Sequence, residues 1–450
     1  MAVYRMINPL QTYPWGSVSM LRELRSSSVG SPPNRADGKD GDVADATPIA
    51  EVWMGSHPRG TSFLEATGTS LLQHLLDGPE GRLGSRAARL APPGDEHPGL
   101  PFLFKILTAE KGLSIQSHPT RERAAFGFAA EDRAGVPLDA PHRNYRDRNH
   151  KPELILALRD FWGLRGFRPM DELGQEMSSF AASLVQPELA ALRRALEAFA
   201  ENPGVERWQP AFAALVAPAT DPTAAAVLSD ALGGYVAARE RTGAASGGSD
   251  RDNRYWWCRE LARQFPGDIG AVAPLYLNLF HLRPGEAVFL AAGILHAYLY
   301  GAGVEIMANS DNVLRAGCTG KHVDVPELLS TLSFDADPVT VLDPAEHPVG
   351  DGAGMRRFMT PAAEFELTEL LGRGGSVELR KDEGPAIILS IGGGCRITSE
   401  KAPGPTLLAS TDSAFVDHET AGLRVEFDPG ARVYVAALPG ALSTREHPAG

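Results

Sequence analysis

Leu113-Ser114-Ile115-Gln116-Ser117-His118-Pro119 reads as a strand that ends on two metal-binding side chains. Side chains alternate faces along an extended strand, so Gln116 and His118 project to one side. Pro119 then stops the ladder, because it has no amide proton to donate. An amide oxygen and an imidazole thus stand side by side at a strand end, which suits a metal taking mixed nitrogen and oxygen ligands. A QxH triplet by itself is an ordinary surface-strand pattern. Its weight comes from two further stretches that hold the remaining candidate ligands, Tyr145-Arg146-Asp147-Arg148-Asn149-His150-Lys151-Pro152-Glu153 and Leu295-His296-Ala297-Tyr298.

A chain of 450 residues is too long for one core and points to two or three domains. Its apolar runs are short and broken by Gly, Pro or charge, so no membrane span is expected. The start, Met1-Ala2-Val3-Tyr4-Arg5-Met6, lacks the basic region and apolar core of a signal peptide, and a cytoplasmic protein is expected. Cys258, Cys318 and Cys395 are far apart and odd in number, which argues against a disulfide framework or a thiolate zinc site. A formal charge of -13 argues against nucleic acid as a partner, since phosphate backbones demand a basic face. It leaves room for a phosphorylated small molecule, which needs only a local cluster of Lys and Arg.

Taken in order, the chain opens on an aromatic turn, Tyr13-Pro14-Trp15-Gly16. Residues 26–47 are too poor in apolar anchors to offset their own ordering entropy and are expected to form a loop. Ile49-Ala50-Glu51-Val52-Trp53-Met54-Gly55 resumes strand chemistry, and a second polar loop is expected over residues 84–99. Residues 100–106 form an apolar strand with one cation, Lys105. Because unpaired lysines are seldom buried, Lys105 is expected to face outward unless an anion holds it inside. Thr120 is the N-cap of a short helix, and residues 154–158 are a buried strand that Glu153 opens. From about Met170 the pattern turns helical. Leu189, Leu192, Leu196 and Phe199 share one face, and Asp221-Pro222 is an N-cap with Pro at the first helical position. Strands are expected to return at residues 273–279, 287–290, 294–300 and 303–307, at jelly-roll spacing. After Phe334 the pattern is almost all short strands, with Gly392-Gly393-Gly394 expected in a bulged hairpin and no chemistry apparent.

Gln116, His118, Glu153 and His296 together offer two nitrogens and two oxygens, a set that Zn²⁺ accepts. Each also has a plainer reading: His296 as a core histidine bonded to a carbonyl, Glu153 as the partner of Lys151 or Arg148, Gln116 as a partner for barrel backbone. Downstream lie Glu305, the run Ala308-Asn309-Ser310-Asp311-Asn312-Val313-Leu314-Arg315, and Lys321. Asp311 and Asn312 suit a capped turn. Arg315 and Lys321, with Lys105 and Lys151, would place four cations near one metal, as expected for a phosphate ester beside a polarised carbonyl.

These stretches, with Arg165-Gly166-Phe167-Arg168-Pro169 ahead of the helical segment, jointly resemble the type I mannose-6-phosphate isomerases, zinc enzymes of the cupin superfamily. IQxHP, NHKPE and SDNVLRAG carry the resemblance, which spans residues 1–333 and is loose beyond. Residues 26–47 look like an addition, and Gly320 stands where proline is expected. The resemblance implies a mainly β fold: a cupin-type jelly-roll catalytic domain (1–169 with 266–333), an inserted helical domain (170–265) and a second cupin-like β domain (334–450). It implies one Zn²⁺ per chain on Gln116, His118, Glu153 and His296, and interconversion of mannose 6-phosphate and fructose 6-phosphate through a cis-enediol. Arg315 falls on the arginine treated as catalytic in that family. Lys151, His150, Glu305 and Lys105 fall on positions proposed for proton transfer or substrate contact. Trp15, Lys105, Ser114, Tyr298, Asp311, Asn312 and Lys321 are the candidate substrate-binding residues, and a monomer or weak homo-oligomer is expected.

The chemistry needed agrees with that set. Moving a carbonyl between adjacent carbons takes a proton from one and returns it to the other, while the enediolate oxygens carry charge. A metal or an arginine stabilises that charge, and one base shuttles the proton. Lys151 is the preferred base or its close partner. His150 is the rival, imidazole being the side chain that exchanges protons near neutrality. Two alternatives remain at this point. Two histidines and a carboxylate also make the facial triad of a cupin Fe(II) oxygenase, although Gln116 would then occupy a position oxygen needs. A non-catalytic sugar-phosphate-binding cupin would bind without turnover.

Overall fold

The computed structural model describes residues 3–26, 46–91, 99–242, 249–400, 402 and 404–444. Most of the loop expected at 26–47 lies outside these residues, as does most of residues 242–250, a Gly/Ser-rich stretch that reads as a linker. Two large antiparallel sheets and a helical unit make up the rest.

The catalytic sheet is organised by one strand, His296–Ala308. The sequence reading divides this stretch into two short strands, but they form one ladder of 13 residues. Its first half pairs with Phe161–Phe167 and, through His296, with Ile115–Ser117. Its second half pairs with Phe102–Ala109 on one side and Glu153–Ala157 on the other. The switch falls at Gly301, where φ is 130° and a Cβ would lie 2.5 Å from the Asp160 carbonyl oxygen. Only glycine lets the strand bend there without collision. One strand thereby serves both sides of a curled sheet, and the sheet wraps into a jelly-roll half-barrel.

Alternation sorts the side chains. Val52, Met54, Phe102, Phe104, Ile106, Leu154, Leu156, Val304 and Ile306 point to the core shared with the second sheet. Glu51, Trp53, Lys105, Glu153 and Glu305, in the opposite phase, face the barrel interior. Register then places Lys105 opposite both Trp53 and Glu305.

The second sheet holds the strands after residue 346, and it shares one continuous apolar core with the first. It is extended by the beginning of the chain, since Val3–Ile7 pairs with Ser413–Val416 on one side and Phe63–Leu64 on the other. The first residues therefore belong to the C-terminal sheet rather than to the catalytic one. Gly392-Gly393-Gly394 is not a hairpin: Ala386–Ile391 pairs with Ser413–Val416 and Arg432–Ala437, whereas Cys395–Thr398 pairs with other strands. Two further expectations change. Part of the loop expected at 84–99 is the helix Ser85–Leu90, and Ala273–Tyr276 is a helical turn whose Pro274 sits near its start, so that strand begins only at Leu277.

The helical unit runs from Met170–Ala181 to Arg254–Gln264. Thr120, Asp221 and Asn253 cap their helices with side-chain oxygens, as their positions predict for the first two. The unit packs on the outer face of the barrel through Phe167, which meets Trp208, Phe212 and Phe334 at centroid distances of 5.3–5.6 Å. No single helix among the described residues is long and apolar enough to cross a membrane. Phe167 is fully buried at this junction. Phe167→Ala is expected to cost about 3–5 kcal/mol, read as a lowered urea midpoint of unfolding.

Candidate metal centre and active-site cleft

Three strands bring the ligands together. Gln116 lies opposite His296 on one side and opposite Arg315 on the other, so the three side chains form a row on one face. His118 follows at the end of its strand, and Glu153 opens its own. The donor atoms of His118, Glu153 and His296 lie within 4.8 Å of one another. His118 Nε2 is 3.3 Å from Glu153 Oε1, and His296 Nε2 is 3.4 Å from Glu153 Oε2. Donors bound tetrahedrally to zinc at about 2.0–2.1 Å sit roughly 3.3 Å apart.

The hydrogen bonding fits a metal. His118 Nδ1 is 2.7 Å from the Asn312 carbonyl oxygen, and His296 Nδ1 is 2.9 Å from that of Ile294. These contacts turn both Nε2 atoms toward Glu153, the usual device for orienting ligating histidines. His118 Nε2, His296 Nε2 and Glu153 Oε2 are buried and have no hydrogen-bond partner. Buried polar atoms are rarely left so, and three that face one another call for a cation. Burial first, then the charge of Lys151, pushes His118 down to about 4, so the imidazole is neutral at pH 7 and its lone pair is free. Burial opposes ionisation of Glu153, but Lys151 and His118 outweigh it and hold the carboxyl well below its usual range. The plainer readings of His296 and Glu153 are also met: His296 bonds a carbonyl and Glu153 pairs with Lys151 at 2.8 Å. They coexist with the ligand geometry because each uses a different atom or lone pair.

Above this centre opens a cleft of about 980 Å³. Trp15, Lys105, Ser114, Gln116, Lys151, Asp311, Arg315 and Lys321 are on its wall. Gln264 and Phe265, at the end of the helical unit, close one side. Glu305, Tyr298 and Asn312 lie behind the wall. Tyr298 donates to Glu305 at 2.9 Å, and the Asn312 side chain is used up by Asp147, Asn149 and the backbone N–H of Arg146. His150 lies aside as well: its Nε2 is 2.9 Å from Glu364 Oε1 and 3.0 Å from Arg121 Nη2.

Lys105 departs from its expected outward position. It is buried between Glu305 Oε2 at 2.9 Å and Glu51 Oε1 at 3.3 Å, under the face of Trp53. Those carboxylates overcome burial and keep it protonated. Its anion is thus supplied by the protein, and Lys151 is likewise paired with Glu153. The four expected cations therefore reduce to two, Arg315 and Lys321, joined by Arg146. No acidic side chain among the described residues pairs with these three, and Arg146 is anchored only on the Leu138 and Ala140 carbonyls. Burial first and then Arg146 lowers the Arg315 pKa; burial, Arg315, Arg59 and Arg146 lower that of Lys321. Unrelieved mutual repulsion of this kind marks an anion site.

Glu51, Arg146 and Arg59 escaped the sequence reading. Glu51 had a usable signal: a lysine alone in an apolar strand needs a carboxylate, and Glu51 sits in phase with Trp53 on the neighbouring strand. Arg146 and Arg59 had none, since exposed arginines in loops are ordinary. Arg59 pairs with Asp311, which also lies 3.3 Å from His57.

A profile of the type I phosphomannose isomerase catalytic domain matches residues 3–170. The mannose-6-phosphate isomerase of Escherichia coli K12 is 36% identical over 368 residues, covering 81% of this chain and 82% of that protein. The human mannose-6-phosphate isomerase is 35% identical over 338 residues, covering 74% and 73%. Among solved structures, the apo form of the Salmonella typhimurium enzyme superposes with a TM-score of 0.77 at 30% identity, covering 97% of this chain and 100% of that one. A zinc-bound mannose 6-phosphate isomerase gives the same score, identity and coverage. With this likeness over most of its length, and with a buried His-Glu-His centre in a cupin half-barrel, the chain belongs to the type I mannose-6-phosphate isomerase family.

Proposed function

We propose that the chain interconverts D-mannose 6-phosphate and D-fructose 6-phosphate in a zinc-dependent reaction through a cis-enediol. The observation that carries this reading is the set of three unpartnered ligand atoms beneath a cleft whose wall holds unpaired cations. His118, Glu153 and His296 hold the zinc, with Gln116 as the fourth candidate ligand on the same face. When bound, the zinc supplies a fixed positive charge that favours the enediolate over the open-chain sugar.

The remaining work falls to the chain itself. Arg315, Lys321 and Arg146 receive the phosphate or the developing oxyanion, with no acidic side chain among the described residues to hold them. Arg315, in the row with Gln116 and His296, is the one nearest the reacting carbons in this reading. Lys151 is the proton carrier: it is on the cleft wall and its Nζ contacts Glu153 at 2.8 Å, so it joins the metal centre to the substrate space. His150 is disfavoured for that task, because its Nε2 is engaged by Glu364 and Arg121. Lys105 on the wall and Glu305 behind it form a buried ion pair that sets the field around Glu153.

Purified protein is expected to convert mannose 6-phosphate to fructose 6-phosphate, to lose that activity on chelation and to regain it with Zn²⁺. Arg315→Ala is expected to lower turnover by about 10²–10³-fold with zinc content unchanged, the loss typical of removing one oxyanion donor. Unaltered turnover would overturn the role of Arg315, and binding without turnover in the parent chain would favour a sugar-phosphate-binding cupin. Lys321→Ala is expected to raise KM for mannose 6-phosphate more than it lowers kcat, as steady-state kinetics would reveal.

A further inference from the structure

Glu364 belongs to the turn before Glu366–Lys381 in the C-terminal sheet, outside the catalytic sheet and off the cleft wall. Its side chain is nevertheless only 1% exposed. One oxygen, Oε1, accepts hydrogen bonds from two residues of the catalytic unit, Arg121 Nη2 and His150 Nε2. Arg121 opens the helix Arg121–Arg133, which follows His118 with only Pro119 and Thr120 between. His150 leads into Lys151, Pro152 and Glu153. The carboxylate thus joins, from outside the barrel, the two segments that deliver His118 and Glu153.

This contact is built rather than incidental. Burial opposes ionisation of Glu364, and the hydrogen bond from His150 with the charge of Arg121 still holds its carboxyl below the usual range. A buried carboxylate left without its partners is strongly destabilising, so the three groups enforce one another's positions. On the far side, Asn312 and Ser310 grip Asp147 and Asn149, so the segment carrying Lys151 and Glu153 is fixed from both directions. Nothing in the proposed reaction otherwise uses the C-terminal unit.

We propose that Glu364 is a positioning residue of the metal centre: through Arg121 and His150 it sets the spacing of the His118 and Glu153 segments, making the C-terminal unit part of the catalytic apparatus. The activity arm of the test rests on the isomerase reading, whereas the metal arm does not.

The full-length chain, loaded with Zn²⁺, is challenged with a colorimetric chelator, and the rate of zinc loss is compared among variants. Glu364→Ala is expected to lose zinc about 10–100-fold faster, the range seen when groups supporting metal ligands are removed. At saturating zinc its kcat for mannose 6-phosphate falls while KM changes little. Glu364→Gln, which keeps the shape and one acceptor oxygen, recovers most of the difference. Should Glu364→Ala fail to fold, Arg121→Gln removes one arm of the contact from its half-exposed side and is read in the same way. Glu346→Ala, which breaks an exposed ion pair with Arg373 in the same C-terminal unit, is expected to leave zinc loss unchanged. Parental zinc retention in Glu364→Ala or Arg121→Gln overturns the proposal, as does equal acceleration by Glu346→Ala. A parent chain inactive on mannose 6-phosphate would refute the isomerase reading while the zinc-loss comparison still decides this one.

Discussion

An ionised carboxylate deep inside a β-barrel is the constraint around which this molecule is arranged. Glu153 is 1% exposed, and desolvation of such a group costs far more than any single neighbour returns. It survives because Lys151 lies at 2.8 Å and two imidazoles face it, in a set of donors that a bound cation would complete. Behind it, Lys105 is shared by Glu51 and Glu305, which spreads charge over a second buried group. Each member of this cluster is intelligible only through the others. The barrel interior consequently holds a network of ions beside an apolar cluster that includes Leu107, Ile155, Phe161 and Tyr298.

Strand phase makes that network possible. Four strands set apolar residues toward the core between the two sheets and their charged residues toward the interior. A slip of one residue in Phe102–Ala109 would bury Phe104 among carboxylates and drive Lys105 into the apolar core. The second sheet therefore does more than shield the first: by receiving Phe102, Phe104, Ile106, Val304 and Ile306, it selects the register that aligns Lys105 with Glu305.

How far this was readable from the sequence follows from the range of each interaction. Gln116 and His118 were legible because a two-residue period and a terminal proline are local signals. The helical unit was legible from the face Leu189, Leu192, Leu196 and Phe199 and from the Asp221 cap. Lys105 was misjudged because its partners, Glu51 and Glu305, are 54 and 200 positions away and charge pairing across strands leaves no local mark. The division of His296–Ala308 into two strands had a similar cause. Gly301 looks like a turn residue in sequence, whereas in the barrel it is the point where a continuous strand exchanges one set of neighbours for another. The membership of Val3–Ile7 in the C-terminal sheet could not be anticipated, since any strand of that character fits either sheet.

That last pairing bears on how the molecule comes to be assembled. Arg5 bonds Asp412, 407 positions further along, so although Met6 and Ile7 pair early with Phe63–Leu64, the other side of this first strand stays open until nearly the whole polypeptide has left the ribosome. Closing so large a loop is entropically slow, and until it closes one apolar edge of each unit stays open to wrong neighbours. Synthesis from the amino end thus delivers the metal ligands early and the staple that welds both halves together last. A chaperone that sheltered this nascent chain would have to keep hold of its opening residues throughout translation.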